Sequence, residues 1–162
     1  MIFAECKPDC ALVCRLRSDP GQKVEHSFGK SSVLNKLVRR SGFPNYENSI
    51  GMIDEDPDSN QPKTIRDFTE KAYLRDCDIR ILYYRFLNNH VLVLCPELEE
   101  WIIAASHEAR IEMADFGLPN NPEKLHEIIN LNIDKFEILV DALRGNSRRI
   151  DVLESCLHGH YF

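Results

Sequence analysis

The sequence predicts an α/β domain in which a mostly parallel central sheet is flanked by helices. Short apolar runs alternate with stretches of helical periodicity over the first two thirds of the chain. The final third has helical periodicity alone. Strands that alternate with helices are typical of parallel sheets, because each crossover helix packs back onto the sheet.

The first half of the chain contains three predicted strands and two predicted helices. The strands are the apolar runs Ile2–Ala4, Val24–Phe28 and Ser49–Ile53. Pro8 favours the first turn of a helix after the first strand, since its missing N–H needs no partner there. Ser31 or Ser32 is expected to cap a second helix, which runs through Arg40. A loop is predicted over Ser41–Asn48.

The second half begins with a predicted helix over Thr64–Leu74. The β-branched and aromatic runs Ile79–Phe86 and Val91–Leu94, with two asparagines between them, predict a hairpin. Pro96 is expected to begin a helix, and several helices follow. We expect residues 1–105 to form the α/β core and residues 106–162 to form helices that pack on the same domain.

The composition is that of one globular domain. The chain has 162 residues, of which 43% are hydrophobic and 28% charged, and its formal net charge is −6. Because a membrane span needs about 18 apolar residues in a row, the chain is not expected to cross a membrane. The start of the chain lacks the pattern of a signal peptide, so we expect a cytoplasmic location. The six cysteines include no CxxC pair, which favours free thiols over a zinc site.

Acidic residues follow three of the predicted strands. They are Glu5 with Asp9, Asp54 with Asp56, and Glu97 with Glu99. Ligands of open α/β sheets bind outside the carboxyl ends of the strands, so these carboxylates are expected to converge. Clustered negative charge is unfavourable without a cation, and hard cations such as Mg²⁺ or Mn²⁺ prefer oxygen ligands. Taken singly, Asp9 and Glu97 also suit the start of a helix, where an acid interacts favourably with the helix dipole.

The acidic motifs resemble those of Toprim domains, which place a glutamate after the first strand and Asp-x-Asp after the third. Glu5 and Asp54-Glu55-Asp56 match this pattern. The Toprim nucleases of the overcoming-lysogenization-defect family are more similar still. Their first motif, Glu-x-x-x-acid, is matched by Glu5 to Asp9, and the glycine after their second strand is matched by Gly29. Their later acid-x-Glu motif is matched by Glu97-Leu98-Glu99. Cys6 departs from the glycine that is frequent after the first glutamate.

This resemblance implies a metal-dependent nuclease that hydrolyses phosphodiester bonds in nucleic acid, DNA rather than RNA. Two Mg²⁺ or Mn²⁺ ions are implied, one held by Glu5, Asp9 and Asp54 and the other mainly by Asp56, Glu97 and Glu99. Glu5 is alternatively a general base. The catalytic residues implied are Glu5, Asp54, Asp56 and Lys30. Lys30 would neutralise a phosphate, and Lys63 and Arg148 are alternatives to Lys30 in this role. Because the chain is acidic and lacks the ATPase domain of many such nucleases, a partner ATPase is expected to bring the substrate.

Other functions fit some of the same residues. A Toprim-like module could bind or regulate without catalysis, and its acids would then be structural. Phosphatases of the haloacid-dehalogenase type also use Asp-x-Asp, but after the first strand and followed by a threonine, whereas Pro57 follows here. The sequence Gly29-Lys30-Ser31 matches only the end of a P-loop, because position 24 is valine rather than glycine.

Overall fold

A computed structural model describes residues 1–17, 19–39 and 46–162. It confirms an α/β fold with a mostly parallel six-stranded sheet in the order β2-β1-β3-β6-β5-β4. The strands are β1 (Ile2–Ala4), β2 (Val24–His26), β3 (Ile50–Asp54), β4 (Thr69–Leu74), β5 (Ile79–Tyr84) and β6 (Asn89–Leu94). The first three strands and β6 are parallel, whereas β5 runs antiparallel to both β6 and β4. The predicted hairpin is therefore present as β5 and β6.

In the part of the chain that the structure describes, six α-helices cover the two faces of this sheet. They are α1 (Lys7–Leu16), α2 (Lys30–Val38), α3 (Leu98–Ala109), α4 (Pro122–Leu131), α5 (Ile133–Leu143) and α6 (Arg148–Leu157). Short 3₁₀ helices lie at Lys63–Asp67, Arg75–Cys77 and Met113–Phe116. None of the helices in the described part of the chain is both long enough and apolar enough to cross a membrane.

The sheet separates two hydrophobic clusters, because alternate side chains of a strand point to opposite faces. On one face, Ile2 and Met52 pack with α1 and with the later helices, which contribute Trp101, Phe136 and Leu153. The helices beyond residue 106 therefore share a core with the first strand. On the other face, residues of α2 pack against Phe3, Ile53, Val91 and Val93.

Gly51 lets α2 approach β3 closely. A Cβ atom at this position would lie 2.7 Å from Cδ1 of Leu37 and 2.8 Å from Cγ1 of Val33. Both of these side chains are fully buried, so they have little room to move away. Because residue 51 has no side chain, α2 can lie directly against β3. This close packing also positions the residues at the start of α2.

Two predicted elements differ from the structure. The predicted helix Thr64–Leu74 is wrong, because its second half is the edge strand β4, which pairs antiparallel with β5. The second helix begins at Lys30, with Gly29 as the N-cap and no side-chain capping hydrogen bond, so neither Ser31 nor Ser32 caps it. Its predicted end at Arg40 and most of the predicted loop 41–48 lie outside the described residues.

Candidate metal centre

The parallel pairing of β1, β3 and β6 brings the segments that follow them to one edge of the sheet. Hydrogen bonds continue beyond the strands: the N–H of Glu55 donates to the carbonyl of Leu94 at 2.9 Å, and the N–H of Asp56 donates to that of Pro96 at 3.0 Å. The N–H of Asp54 donates to Oε2 of Glu5 at 3.3 Å. The first predicted acid therefore lies directly beside the Asp-x-Asp motif.

Asp9 reaches the same edge from the first turn of α1. Its Oδ2 accepts a hydrogen bond from the N–H of Cys6 at 2.9 Å, and its own N–H donates to Sγ of Cys6 at 3.5 Å. This reciprocal capping box explains what a cysteine contributes at position 6, since glycine has no side chain to accept from the helix. The expectation that Asp9 stabilises the start of the helix is confirmed. The capping role uses only one of its two carboxylate oxygens.

Burial and neighbouring acids both act on Asp54. Burial, and after it nearby negative charge, raises the pKa of Asp54 to about 9. That charge comes, in decreasing order of effect, from Asp9, Glu5, Glu99 and Asp56. Four of the other predicted ligands, which come from three separate parts of the chain, thus lie within electrostatic reach of one carboxyl group.

Asp9, Glu5 and Glu97 are perturbed in the same direction. Burial raises the pKa of Asp9, and the charges of Glu5 and Glu99 add to this rise, while the hydrogen bonds from Cys6 oppose it. Burial also raises the pKa of Glu5. The pKa of Glu97 is raised by burial and then by neighbouring acids, among them Glu99 and Asp56. The protein thus holds its acids where their ionised forms are unfavourable.

Lys30 supplies the positive charge nearest to this cluster. Its side chain is only 7% exposed, and its Nζ lies 2.9 Å from Oδ2 of Asp56 and 2.9 Å from the carbonyl oxygen of Glu55. It also lowers the pKa of Glu5. Of the two alternatives to Lys30, Arg148 pairs instead with Asp76 at 3.2 Å, an acid outside the predicted set. Lys63 begins a 3₁₀ helix, and within the described ranges it makes no hydrogen bond or ion pair with the acids.

Two carboxylate oxygens in the cluster are buried without a hydrogen-bond partner among the described residues. They are Oδ1 of Asp9, whose side chain has no exposed surface, and Oδ1 of Asp54. A buried polar atom without a partner costs about 1–3 kcal/mol, and more if it is charged. These oxygens therefore lack a donor or a cation.

Within the described residues, no three Asp, Glu, His or Cys side chains are already grouped as ligands of a metal ion. The residues nevertheless fit a hard divalent cation on two grounds. Both unpartnered atoms are carboxylate oxygens, and the acids that act on Asp54 are carboxylates as well. Oxygen donors of this kind suit Mg²⁺ and Mn²⁺.

His126 is a residue of this region that sequence reasoning missed. It lies on α4, and its Nδ1 is 2.6 Å from Oε1 of Glu99, a side chain that is itself only 6% exposed. A single histidine on the polar face of a helix gives no local signal, and 27 residues separate the two partners. Only the packing of α4 against α3 brings them together.

A cavity of about 440 Å³ opens beside Asp54. Its apolar walls include Ile65, Phe68, Leu82 and Val93. Its rim carries Arg80, which pairs with Glu55 at 2.9 Å and with Glu70 at 2.7 Å. The acid cluster therefore borders a cleft that is large enough for part of a substrate.

Comparison with known protein families, with curated proteins and with solved structures found no match. The strand order and the helical cover are compatible with a Toprim-like fold. The resemblance to Toprim nucleases therefore rests on the acidic motifs of the sequence.

Proposed function

We propose that this protein is a metal-dependent phosphodiesterase of the Toprim type that acts on nucleic acid, with DNA as the expected substrate. The observation that carries the proposal is the pair of buried, unpartnered oxygens of Asp9 and Asp54 among further carboxylates. Evolution rarely retains such an arrangement for stability, because like charges in a buried site oppose folding. A cation-binding function accounts for it.

The resemblance assigns the residues to two sets. Glu5, Asp9 and Asp54 would hold one ion, and Asp56, Glu97 and Glu99 would hold the other, with Asp54 shared between them. Bound Mg²⁺ or Mn²⁺ would supply Lewis acidity that stabilises the attacking and leaving oxygens of a phosphodiester.

The chain's own residues would do the remaining work. Lys30 would exchange its contact with Asp56 for one with a substrate phosphate, since its ammonium is held among the acids. Glu5 is alternatively placed to take a proton from the attacking water, and its raised pKa makes it a better base than an ordinary glutamate. The cleft beside Asp54 would exclude water from one side of the substrate.

The test is nicking of supercoiled plasmid DNA, and cleavage of RNA, in the presence of Mn²⁺ or Mg²⁺. We expect activity that EDTA abolishes and that Asp54→Ala lowers by more than about 100-fold, since the loss of even an outer-shell residue costs 10–100-fold. Asp115→Ala is the matched control, because Asp115 is an exposed aspartate outside the cluster. Full activity in Asp54→Ala, or no Mn²⁺ binding to the intact protein by calorimetry, would defeat the proposal.

A second candidate is a Toprim-like module that binds or regulates without hydrolysis. The observation that favours it is Lys30, whose ammonium already pairs with Asp56 and so partly neutralises the acids. This candidate predicts Mn²⁺ binding without cleavage of plasmid DNA or RNA.

A partner ATPase remains part of the proposal. The chain carries a net charge of −6, which repels a nucleic acid, and a partner would bring the two together. Co-purification of a tagged copy from its native host, followed by an ATPase assay of the eluate, tests this point. An eluate without ATPase activity counts against the partner, but it leaves the proposed chemistry intact.

A further inference from the structure

Phe28 is the most exposed aromatic side chain at the edge of the sheet that carries the acids. It is 82% exposed, and it lies just beyond the carboxyl end of β2. Its ring lies against the ring of His26, with the two centroids 4.0 Å apart and the planes tilted by 34°. Most of the Phe28 ring is thus open to solvent, while His26 lies against it.

The backbone around Phe28 is tied to the acid cluster. The N–H of Ser27 donates to the carbonyl of Ala4 at 2.8 Å, and the N–H of Gly29 donates to that of Glu5 at 3.0 Å. Phe28 itself adopts a left-handed conformation with a φ of 57°, which is uncommon for a residue with a side chain. Lys30, two residues further on, contacts Asp56. The residues on either side of Phe28 are therefore hydrogen-bonded to the segment that carries Glu5.

A groove of about 490 Å³ runs from Phe28 along the outer face of α2. Its other lining residues recur at helical spacing and are Ser31, Ser32, Asn35, Lys36 and Arg39. The lining contains two cationic side chains and three neutral polar ones but no carboxylate, on a protein whose net charge is −6. Lys36 is also paired with Glu25, at 2.7 Å. The groove thus presents cationic and neutral polar side chains, which are the types that contact phosphates in nucleic acid.

We propose that Phe28 and this groove bind an unpaired stretch of a nucleic acid strand, with a base stacked on Phe28 and phosphates along α2. Grooves that bind single strands combine cationic side chains with aromatic rings on which bases stack. The inference takes its substrate class from the proposed function and deepens it, because it predicts that the strand enters the centre in single-stranded form. The affinity of the groove for a strand can be measured in a binding experiment that requires no cleavage.

The experiment is fluorescence anisotropy of a labelled twelve-nucleotide oligothymidylate, titrated with the full chain in EDTA. Stacking on an aromatic side chain contributes about 1–3 kcal/mol per base, so we expect Phe28→Ala to weaken binding about 5- to 150-fold. Phe28→Trp is expected to retain affinity. Arg39→Gln is expected to flatten the salt dependence of binding by about one phosphate contact.

Phe86→Ala is the matched control. Phe86 is also an exposed aromatic residue, at 51%. It follows the antiparallel strand β5 and so lies at the opposite end of the strands from the acids. We expect its replacement to leave the affinity unchanged. The inference is overturned if the oligonucleotide does not bind, if Phe28→Ala binds as the parent does, if Phe86→Ala loses as much affinity, or if a blunt duplex of the same length binds more tightly.

The outcomes also separate this inference from the proposed function. If the oligonucleotide fails to bind but plasmid nicking still depends on Asp54, the groove is wrong and the phosphodiesterase stands. If it binds through Phe28 but no Mn²⁺-dependent cleavage occurs, the phosphodiesterase is wrong and the chain is a single-strand binding module.

Discussion

The Nζ atom of Lys30 lies 2.9 Å from Oδ2 of Asp56, and the lysine side chain is 93% removed from solvent although the aspartate is 36% exposed. The ammonium also reaches the carbonyl oxygen of Glu55 and, at 3.3 Å, the side chain of Gln61. A nearly buried lysine needs such partners, because an isolated charge in the interior is costly. Lys30 therefore holds the loop after β3 in place and partly neutralises the acids.

Lys30→Met should destabilise the metal-free protein, because it leaves Asp56 and the other acids without their nearest cation. We expect a loss of about 1–3 kcal/mol in urea unfolding, which is less than for a fully buried pair because Asp56 is partly exposed. Mn²⁺ should restore more stability to this variant than to the parent. Arg144→Met, which breaks the Arg144–Glu154 pair outside the cluster, is the control and should cost at most about 1 kcal/mol. Equal losses in both variants would contradict the role given to Lys30.

Asp54 should make the metal-free protein less stable as the pH rises. Its pKa is raised from 3.8 to about 9 in the folded state, so the neutral carboxyl is favoured by folding. The stability that this provides is fully present below pH 3.8 and is lost as the pH rises towards about 9.

Asp54→Asn, which cannot ionise, should therefore be more stable than the parent at pH 8 by at least about 1 kcal/mol. The difference should shrink at pH 5. Urea unfolding in EDTA at both pH values measures it, with the exposed Asp115→Asn as the control. A difference that does not depend on pH would contradict the assigned pKa direction.

Binding of Mn²⁺ at neutral pH should release protons. Burial and neighbouring charges raise the pKa of both Asp9 and Asp54, and a carboxyl group must ionise before it can bind a metal ion. We expect the affinity to rise with pH by up to about tenfold per unit for each proton released. Calorimetry in buffers of different ionisation enthalpy counts the protons, and Asp54→Asn should release fewer. Binding that is independent of both pH and buffer would show that other groups hold the ion.

Local sequence was sufficient for much of the sheet and for the placement of the acids. The apolar run Ile2–Ala4 is followed directly by polar residues, so both β1 and the acid that follows it could be predicted. The edge strand β4 could not be predicted, because its sequence contains Thr69, Glu70 and Lys71 and none of its residues is fully buried. It is a strand because it pairs with β5, and strand preference depends strongly on such context.

The same reasoning explains which parts of the candidate site were missed. The resemblance predicted a phosphate contact for Lys30, but its partner Asp56 lies 26 positions away and no local pattern indicates this pair. Phe28 was assigned to the second strand, yet β2 ends at His26 and leaves the ring exposed. A strand's apolar pattern does not show where pairing stops. The acids themselves were predictable because parallel strands share their carboxyl edge.

His126 should position Glu99 for metal binding. Its Nδ1 contacts Oε1 of Glu99 at 2.6 Å, and a residue that orients a ligand is commonly worth 10–100-fold in affinity. We expect His126→Ala to weaken Mn²⁺ binding by about tenfold, and His126→Asn to recover part of this because its amide can donate from a similar position. His107→Ala, which removes a histidine of α3 that contacts Asn120, is the control. A purely structural role would instead lower stability in His126→Ala and leave the affinity of the folded protein for Mn²⁺ unchanged.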